Sequence, residues 1–231
     1  MIRLLGVTIH DPDVVFTDLG LALLAAFFAW RLWTGRAAEL PRLGAILMAA
    51  LASAAFWGAI FHAFFPRQTS TTAGYIAWMP VALSVVAAAA TMVDLALRVI
   101  VPGLAPPRGR AIVAVYALGF AGVVFLVDES FTSIVLFYVP ALVLFLLGAG
   151  LHAIRTRSRG WSSITLGLLI SVGAALLQQA RLAIHVEYFD HNAVYHVLQG
   201  IALGFLYLGF RGVPESRSVY ATGGNPAPRP G

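Results

Sequence analysis

Seven long apolar stretches, separated by short polar connections, divide the chain. Hydrophobic residues fill windows of roughly 20 residues, the length that an α-helix needs to cross a hydrocarbon core about 30 Å thick. Helix-breaking residues, such as Pro102-Gly103 and Pro106-Pro107, mark the connections. The predicted spans are residues 14–33, 43–65, 77–100, 110–127, 132–155, 161–184 and 192–212. The pattern predicts an all-α, polytopic membrane bundle of seven transmembrane helices.

The spans leave no room for a soluble domain. We expect one transmembrane domain over residues 1–212 and a disordered cytoplasmic tail over residues 213–231, where Pro, Gly and Ser accumulate. The first residues lack a basic region that leads directly into an apolar stretch and a small-residue cleavage site. No cleaved signal peptide is therefore expected.

Composition narrows the class of protein further. Hydrophobic residues make up 60% of the chain and charged residues only 11%, whereas a soluble domain usually carries about 25% charged residues. The absence of cysteine excludes disulfides and thiolate metal sites, and the absence of lysine excludes Schiff-base chemistry. The net charge of +5 comes from arginines beside the spans, so we expect the lipid bilayer as the partner and no nucleic acid.

The arginines fall on alternate connections, which predicts the orientation. Twelve lie on one set of connections and three on the other, and membrane proteins keep their basic loops in the cytoplasm. The twelve are Arg31, Arg36, Arg42, Arg98, Arg108, Arg110, Arg155, Arg157, Arg159, Arg211, Arg217 and Arg229. The three are Arg3, Arg67 and Arg181. We expect the N-terminus outside, the C-terminus in the cytoplasm, and a multi-pass location in a cell membrane of the bacterial inner-membrane type.

This orientation gathers polar residues into one layer near the outer surface. His62 lies about one turn before the end of the second span, and His196 about one turn into the seventh. Asp18 and Gln178 fall at a similar depth in the first and sixth spans. At 1.5 Å of rise per residue, each should lie within roughly 5–10 Å of the outer boundary. We therefore predict an outward-facing pocket lined by histidine and other polar residues.

Spacing within two helices adds polar faces to this layer. Asn192, His196 and Gln199 share one face of the seventh helix. A second polar stripe, with spacings of three and seven residues, is predicted for the sixth helix and consists of Gln178, Arg181 and His185. His191 lies about 140° around a regular helix from His196, so the two can share a ligand only if the helix start is unwound.

Each of these residues also has a purely structural interpretation. A buried imidazole such as His62 can bond to a neighbouring helix, and Asp18 can stabilise the start of a helix through its dipole. Glutamines often join helices in membranes. Arg181 with Glu187, and Asp94 with Arg98, have the spacing of ion pairs.

A histidine late in the second helix and a histidine motif opening the seventh resemble the CREST superfamily of seven-helix membrane proteins, which includes alkaline ceramidases and adiponectin-type receptors. The resemblance implies a zinc-dependent amide hydrolase, with His62 matching the helix-2 ligand. Gly58 holds the place of the family's serine, and Asn192 stands where the first ligand of the HxxxH pair is expected. Asp94 is too far along the chain, and at the wrong depth, to match the family's aspartate.

The segment from His191 to Gln199, together with Thr17-Asp18, also resembles an uncharacterised bacterial family of seven-helix proteins. The likeness in topology extends over residues 14–212. The departures at Gly58 and Asn192 leave open the alternative that the chain is a relative that has lost or altered the zinc chemistry.

Two functions follow. In the first, His62 and His196, with His191 or Asp18, hold Zn²⁺, and Gln178 or Gln199 polarises a carbonyl or orients the ligands, giving hydrolysis of a lipid or amide. In the second, the polar layer is a hydrogen-bonded network in a non-catalytic sensor, lipid or small-molecule binder, or assembly module. Haem ligation would need histidines nearer the midplane, and a proton-coupled transporter would need an acidic group there. The oligomeric state is left open.

Overall fold

Seven long helices form the protein, as the hydrophobic pattern predicts. The structure, a computed structural model, describes residues 1–4, 6–35, 38–65, 69–185 and 189–213. An antiparallel hairpin, β1 (Ile2–Leu4) and β2 (Val7–Ile9), precedes the helices. The helices are α1 (Pro12–Trp33), α2 (Glu39–Phe64), α3 (Thr72–Ile100), α4 (Pro106–Leu126), α5 (Phe131–Thr156), α6 (Arg159–Gln179) and α7 (His191–Gly212). All seven are long and apolar enough to cross a membrane.

Six of the helices close into a ring. Each of α1, α2, α3, α5, α6 and α7 packs against the next in that order, and α7 returns to α1. The remaining helix, α4, lies outside the ring against α3 and α5 and has only two buried residues, Phe120 and Val124. The core consists largely of Ala, Leu and Phe side chains between α2, α3, α5, α6 and α7. The ring places the first and last helices side by side.

Close contact between α6 and α7 depends on glycine. A Cβ atom on Gly209 would lie 2.5 Å from Cγ1 of Ile164, and one on Gly167 would lie 2.8 Å from the carbonyl oxygen of Ala202. Neither position has room for a side chain, so the two backbones approach as closely as small-residue interfaces in membranes allow. This contact joins the first half of α6 to the second half of α7.

The two ends of the bundle carry opposite charge. One end, which we call the histidine end, contains the start of α1, the end of α2 and the start of α7. Its described carboxylates are Asp11, Asp13, Asp18, Asp128, Glu129 and Asp190, with two described arginines, Arg3 and Arg181. The other, the arginine end, carries nine described arginines: Arg31, Arg42, Arg98, Arg108, Arg110, Arg155, Arg157, Arg159 and Arg211. The alternation of charge predicted from the sequence is therefore present in the described residues.

Hydrogen-bonding side chains begin several helices at the histidine end. Asp190 accepts hydrogen bonds from the backbone N–H groups of Asn192 and Ala193, so it caps α7 as its position indicates. Before α5, the Asp128 carboxylate accepts from Ser130 and Ser133. These hydrogen bonds hold the pKa of Asp128 below its usual value. The helix starts at this end are thus fixed by local polar contacts.

The sixth helix is shorter than predicted. It ends at Gln179, five residues before the predicted limit, because Arg181 adopts a positive φ of 53°. His185 then forms an isolated β-bridge with Phe189. The predicted stripe of Gln178, Arg181 and His185 is therefore wrong, since only its first member lies on the helix. The Arg181–Glu187 pair and the tail beyond residue 213 lie outside the described residues.

Candidate functional site

His196 is bracketed by two side chains of α1. Its Nδ1 atom lies 3.1 Å from Oγ1 of Thr17, and its Nε2 atom lies 3.2 Å from Oδ1 of Asp18. Thr17 and Asp18 are consecutive on the first turns of α1, and His196 lies on the second turn of α7. The packing of α1 against α7 thus brings together two of the residues predicted for one polar layer, and it adds Thr17.

The hydrogen bonds of Thr17 indicate where the imidazole carries its proton. The Thr17 hydroxyl has one hydrogen and lies 2.8 Å from the Asp13 carbonyl oxygen, to which it donates along the helix. It then accepts from His196, which places a proton on Nδ1. Because Nε2 lies 3.2 Å from a carboxyl oxygen, we infer that the two groups share a second proton, either as a neutral pair or as an ion pair. This inferred arrangement makes His196 and Asp18 a proton-sharing pair.

Asp18 is buried, and a glycine makes its position possible. Only 4% of Asp18 is exposed. A Cβ atom on Gly58 of α2 would lie 3.1 Å from Oδ2 of Asp18, which is tighter than ordinary contact. The missing side chain of Gly58 therefore leaves room for the carboxylate. A buried carboxyl of this kind requires a polar partner, and Nε2 of His196 lies 3.2 Å from its Oδ1 atom.

A cleft opens beside this pair, between α1 and α7. It has a volume of about 210 Å³ and is lined by Thr17, Gly20, Leu21, Leu24, His196, Val197 and Gly200. Gly20 and Gly200 create the space, because each lacks a side chain on a facing helix. The lining is apolar except at the Thr17 and His196 end. The shape suits an apolar chain that carries a polar group at one end.

A second polar network joins α1, α6 and α7 at the start of the seventh helix. Asp13 accepts a hydrogen bond from the backbone N–H of Asp190 at 3.0 Å. Gln178 donates from Nε2 to Oδ1 of Asn192 at 2.9 Å, and Asn192 donates to Asp190. The amide groups of Gln178 and Asn192 therefore bond to each other and join two helices. These contacts are the ones expected of a glutamine that joins two helices.

A third polar chain lies about two turns deeper along α6 and α7. Ser171 of α6 donates to Oε1 of Gln199 at 2.9 Å, and Gln199 donates from Nε2 to the Tyr195 hydroxyl at 3.0 Å. We predicted that one face of α7 carries Asn192, His196 and Gln199. In the structure, each of these side chains bonds to different residues. Gln199 bonds within the bundle and does not line the cleft.

The other two predicted metal ligands contact different carboxylates, Asp11 and Asp190. Nδ1 of His62 is 3.8 Å from Oδ2 of Asp11, and the His62 side chain is 34% exposed. His62 lies in the last turn of α2, so it belongs to the same end of the bundle. Nδ1 of His191 lies 3.8 Å from Oδ2 of Asp190. His191 begins a regular α7, so the unwound start that would let it join His196 is not present.

The described residues do not assemble a metal site. Across residues 1–4, 6–35, 38–65, 69–185 and 189–213, no three His, Asp or Glu side chains are arranged to hold an ion. The zinc site at His62, His191 and His196 stays a prediction. At the arginine end, by contrast, the predicted ion pair is confirmed: Arg98 bonds to Asp94 through Nε and Nη2.

Thr17, Gly20 and Gly200 are the site residues that were not predicted. Thr17 directly precedes Asp18, and its place one turn after Asp13 is a signal for a hydroxyl that bonds to the helix backbone. The two glycines have no comparable signal, because the cleft exists only when α1 and α7 face each other.

Seven apolar helices with a buried polar cluster at one end define a multi-pass integral membrane protein. The family of unknown function DUF6962 matches residues 14–215, and the chain belongs to that family. No curated protein and no solved structure matches the chain.

Proposed function

We propose that this protein is a ligand-binding membrane module whose ligand is a neutral amphiphile held in the α1–α7 cleft. One observation carries the proposal: a fixed histidine, bracketed by Thr17 and Asp18, stands at the end of an otherwise apolar cleft. The proposal is the non-catalytic alternative that the sequence left open. In it, the polar networks at the histidine end hold the helices around the site.

The chemistry of the cleft selects the ligand class. Leu21, Leu24 and Val197 contact an apolar chain. Both nitrogens of His196 face protein oxygens, while the Thr17 oxygen has one lone pair left after its bonds to His196 and Asp13. A ligand hydroxyl or amide N–H can donate to that lone pair. An anionic carboxylate or phosphate oxygen has no hydrogen to donate to that lone pair, so a neutral head is favoured.

We also propose that the histidine end faces outward. Nine described arginines lie at the opposite end and two at the histidine end, which is the bias that orients bacterial inner-membrane proteins. The ligand would then enter from the outer leaflet or from the outside.

Photolabelling tests the cleft directly. The probe is a long-chain primary alcohol that carries a diazirine, applied to the full chain in lipid nanodiscs, with labelled residues located by mass spectrometry. We expect the labels to concentrate on residues 20–24 and 197–200. Gly200→Val should reduce them about fivefold or more, because its side chain fills space that the apolar chain needs. A Cβ atom at this position meets only Leu24, at 3.6 Å, so the variant should fold.

Gly204→Val is the matched control. Gly204 lies one turn further along α7, outside the cleft, and a Cβ atom there meets nothing within 4 Å. Labelling of this variant should equal that of the original protein. Labels spread evenly over the lipid-facing helices, or a pattern that Gly200→Val leaves unchanged, would overturn the proposal.

The zinc-dependent lipid or amide hydrolase is the second candidate. The distance of 3.2 Å between Oδ1 of Asp18 and Nε2 of His196 favours this candidate. Two ligand atoms that each lie about 2.0 Å from a tetrahedral zinc are about 3.3 Å apart. A third donor does not converge on that pair within the described residues, so the fit is incomplete and we derive no catalytic step. Metal analysis of purified protein decides: about one zinc per chain, lost in His62→Ala, would support this candidate over the amphiphile binder.

A further inference from the structure

A second cleft lies at the arginine end, far along the helices from His196. Its lining comes from the end of α1 and the residues that follow it, the first turn of α2 and the last two turns of α7: Arg31, Leu32, Thr34, Gly35, Pro41, Tyr207 and Arg211. Its volume of about 500 Å³ falls within the range of roughly 300–1,000 Å³ typical of small-molecule sites. Nothing in the proposed function uses this cleft.

Within the described residues, no carboxylate pairs with the charges that line it. Arg31 and Arg211 are both exposed. Within the described residues neither guanidinium is paired with a carboxylate, since the ion pairs of this end join Arg98 to Asp94 and Glu39. Two cations from different helices on one cleft repel each other, so an anion between them is stabilising. The Arg31 guanidinium also lies 5.9 Å from the centroid of the Trp30 ring, within the range of a cation–π contact.

A third donor faces the same space. Tyr207 precedes Arg211 by one helical turn, so the two side chains share a face of α7. Its ring stacks on Phe28, with centroids 4.5 Å apart and an interplanar angle of 8°. Among the described residues its hydroxyl has no hydrogen-bond partner, so it can donate to a ligand. Guanidinium and phenol donors of this kind fit the oxygens of a phosphate group.

We propose that this cleft binds a phosphate-bearing anion, and that the phosphate belongs to the headgroup of an anionic membrane lipid. The lipid is favoured over a free phosphate because the cleft opens at the ends of three membrane-spanning helices. Apolar residues, Leu32 and Pro41, line it beside the cations. The proposal concerns a different end of the molecule from the amphiphile cleft, so either can fail without the other.

The test measures lipid binding to the full chain by native mass spectrometry in detergent. The probes are phosphatidylglycerol, zwitterionic phosphatidylcholine, and inorganic phosphate as a competitor. We expect phosphatidylglycerol to bind more tightly than phosphatidylcholine. Its affinity should fall about tenfold in the double variant Arg31→Gln/Arg211→Gln and about threefold in Tyr207→Phe. The second variant keeps the ring that stacks on Phe28, so it remains informative if the double variant fails to fold.

Arg155→Gln is the matched control, because Arg155 is exposed at the same end but lies on α5, outside the cleft. It should leave the affinity unchanged. Equal binding of the two lipids, or an equal loss in Arg155→Gln, would show general surface charge and overturn the proposal. Competition by millimolar inorganic phosphate without a preference between lipids would assign the site to a free phosphate and overturn the lipid as its source.

Discussion

A Cβ atom on Gly58 would lie 3.1 Å from Oδ2 of Asp18. The missing side chain on α2 therefore permits the carboxyl of α1 to stand where it meets His196 of α7. Three helices meet at this point, and each contributes one necessary feature: a space, an acid and an imidazole. The site depends on the packing of all three rather than on a motif within one of them.

Gly58→Ala should weaken the pair without removing either partner. The added methyl group must displace Asp18 by a few tenths of an ångström, which lengthens its contact with Nε2 of His196. We expect a loss of about 1 kcal/mol in the free energy of unfolding, because tight packing makes even one added carbon costly. Reversible unfolding in mixed micelles measures it.

Gly119→Ala is the control for that variant. Gly119 lies on α4, where a Cβ atom meets nothing within 4 Å. The change should be neutral or slightly stabilising, because alanine favours helix more than glycine does. If both variants lose the same stability, the contact of Gly58 with Asp18 has no special importance.

Asp18 and His196 should be energetically coupled. Asp18→Ala and His196→Ala each leave a buried polar partner unsatisfied, at a cost of about 1–3 kcal/mol. The double variant should lose less than the sum, by about 1–3 kcal/mol of coupling. A double-mutant cycle on unfolding free energies measures this coupling.

The same cycle with Asp94→Ala in place of His196→Ala provides the control. Asp94 lies at the arginine end, bonded to Arg98. Its effect should add to that of Asp18→Ala within about 0.5 kcal/mol. Additivity in both cycles would mean that the Asp18–His196 contact contributes no measurable stability.

The topology can be tested cleanly because the chain contains no cysteine. Ser70→Cys places a single thiol between α2 and α3 at the histidine end, and Gly103→Cys places one between α3 and α4 at the arginine end. In intact cells, a membrane-impermeant maleimide should label the first and spare the second, since arginine-rich connections stay in the cytoplasm. Labelling with the opposite preference would invert the proposed orientation.

The sequence predicted the helices, and the charge at the two ends of the bundle, better than it predicted the contacts between helices. Apolar length identifies a span, so all seven were predicted. It also misplaced the end of α6, because Leu182, Ala183 and Ile184 continue the apolar pattern after Arg181 has left the helix. A hydropathy pattern cannot show that one residue adopts a positive φ.

Depth could be predicted for the site, but rotation about the helix axis could not. Counting along α1 and α7 places Asp18 and His196 in one layer, and the structure brings them into contact. The same counting includes His62. However, Ala59 and Ala63 of α2 pack with Val15 of α1, and His62 remains partly exposed beside Asp11. Small residues decide which face of α2 packs against α1. The sequence pattern alone does not show which of the small residues will make that contact.

An experimental density map of the protein in a lipid nanodisc tests the central claim most directly. The account predicts elongated density in the α1–α7 cleft that ends beside Thr17, with Nε2 of His196 within hydrogen-bonding distance of Asp18. Compact metal density held by His62, His191 and His196 would contradict it, as would a cleft filled by protein side chains.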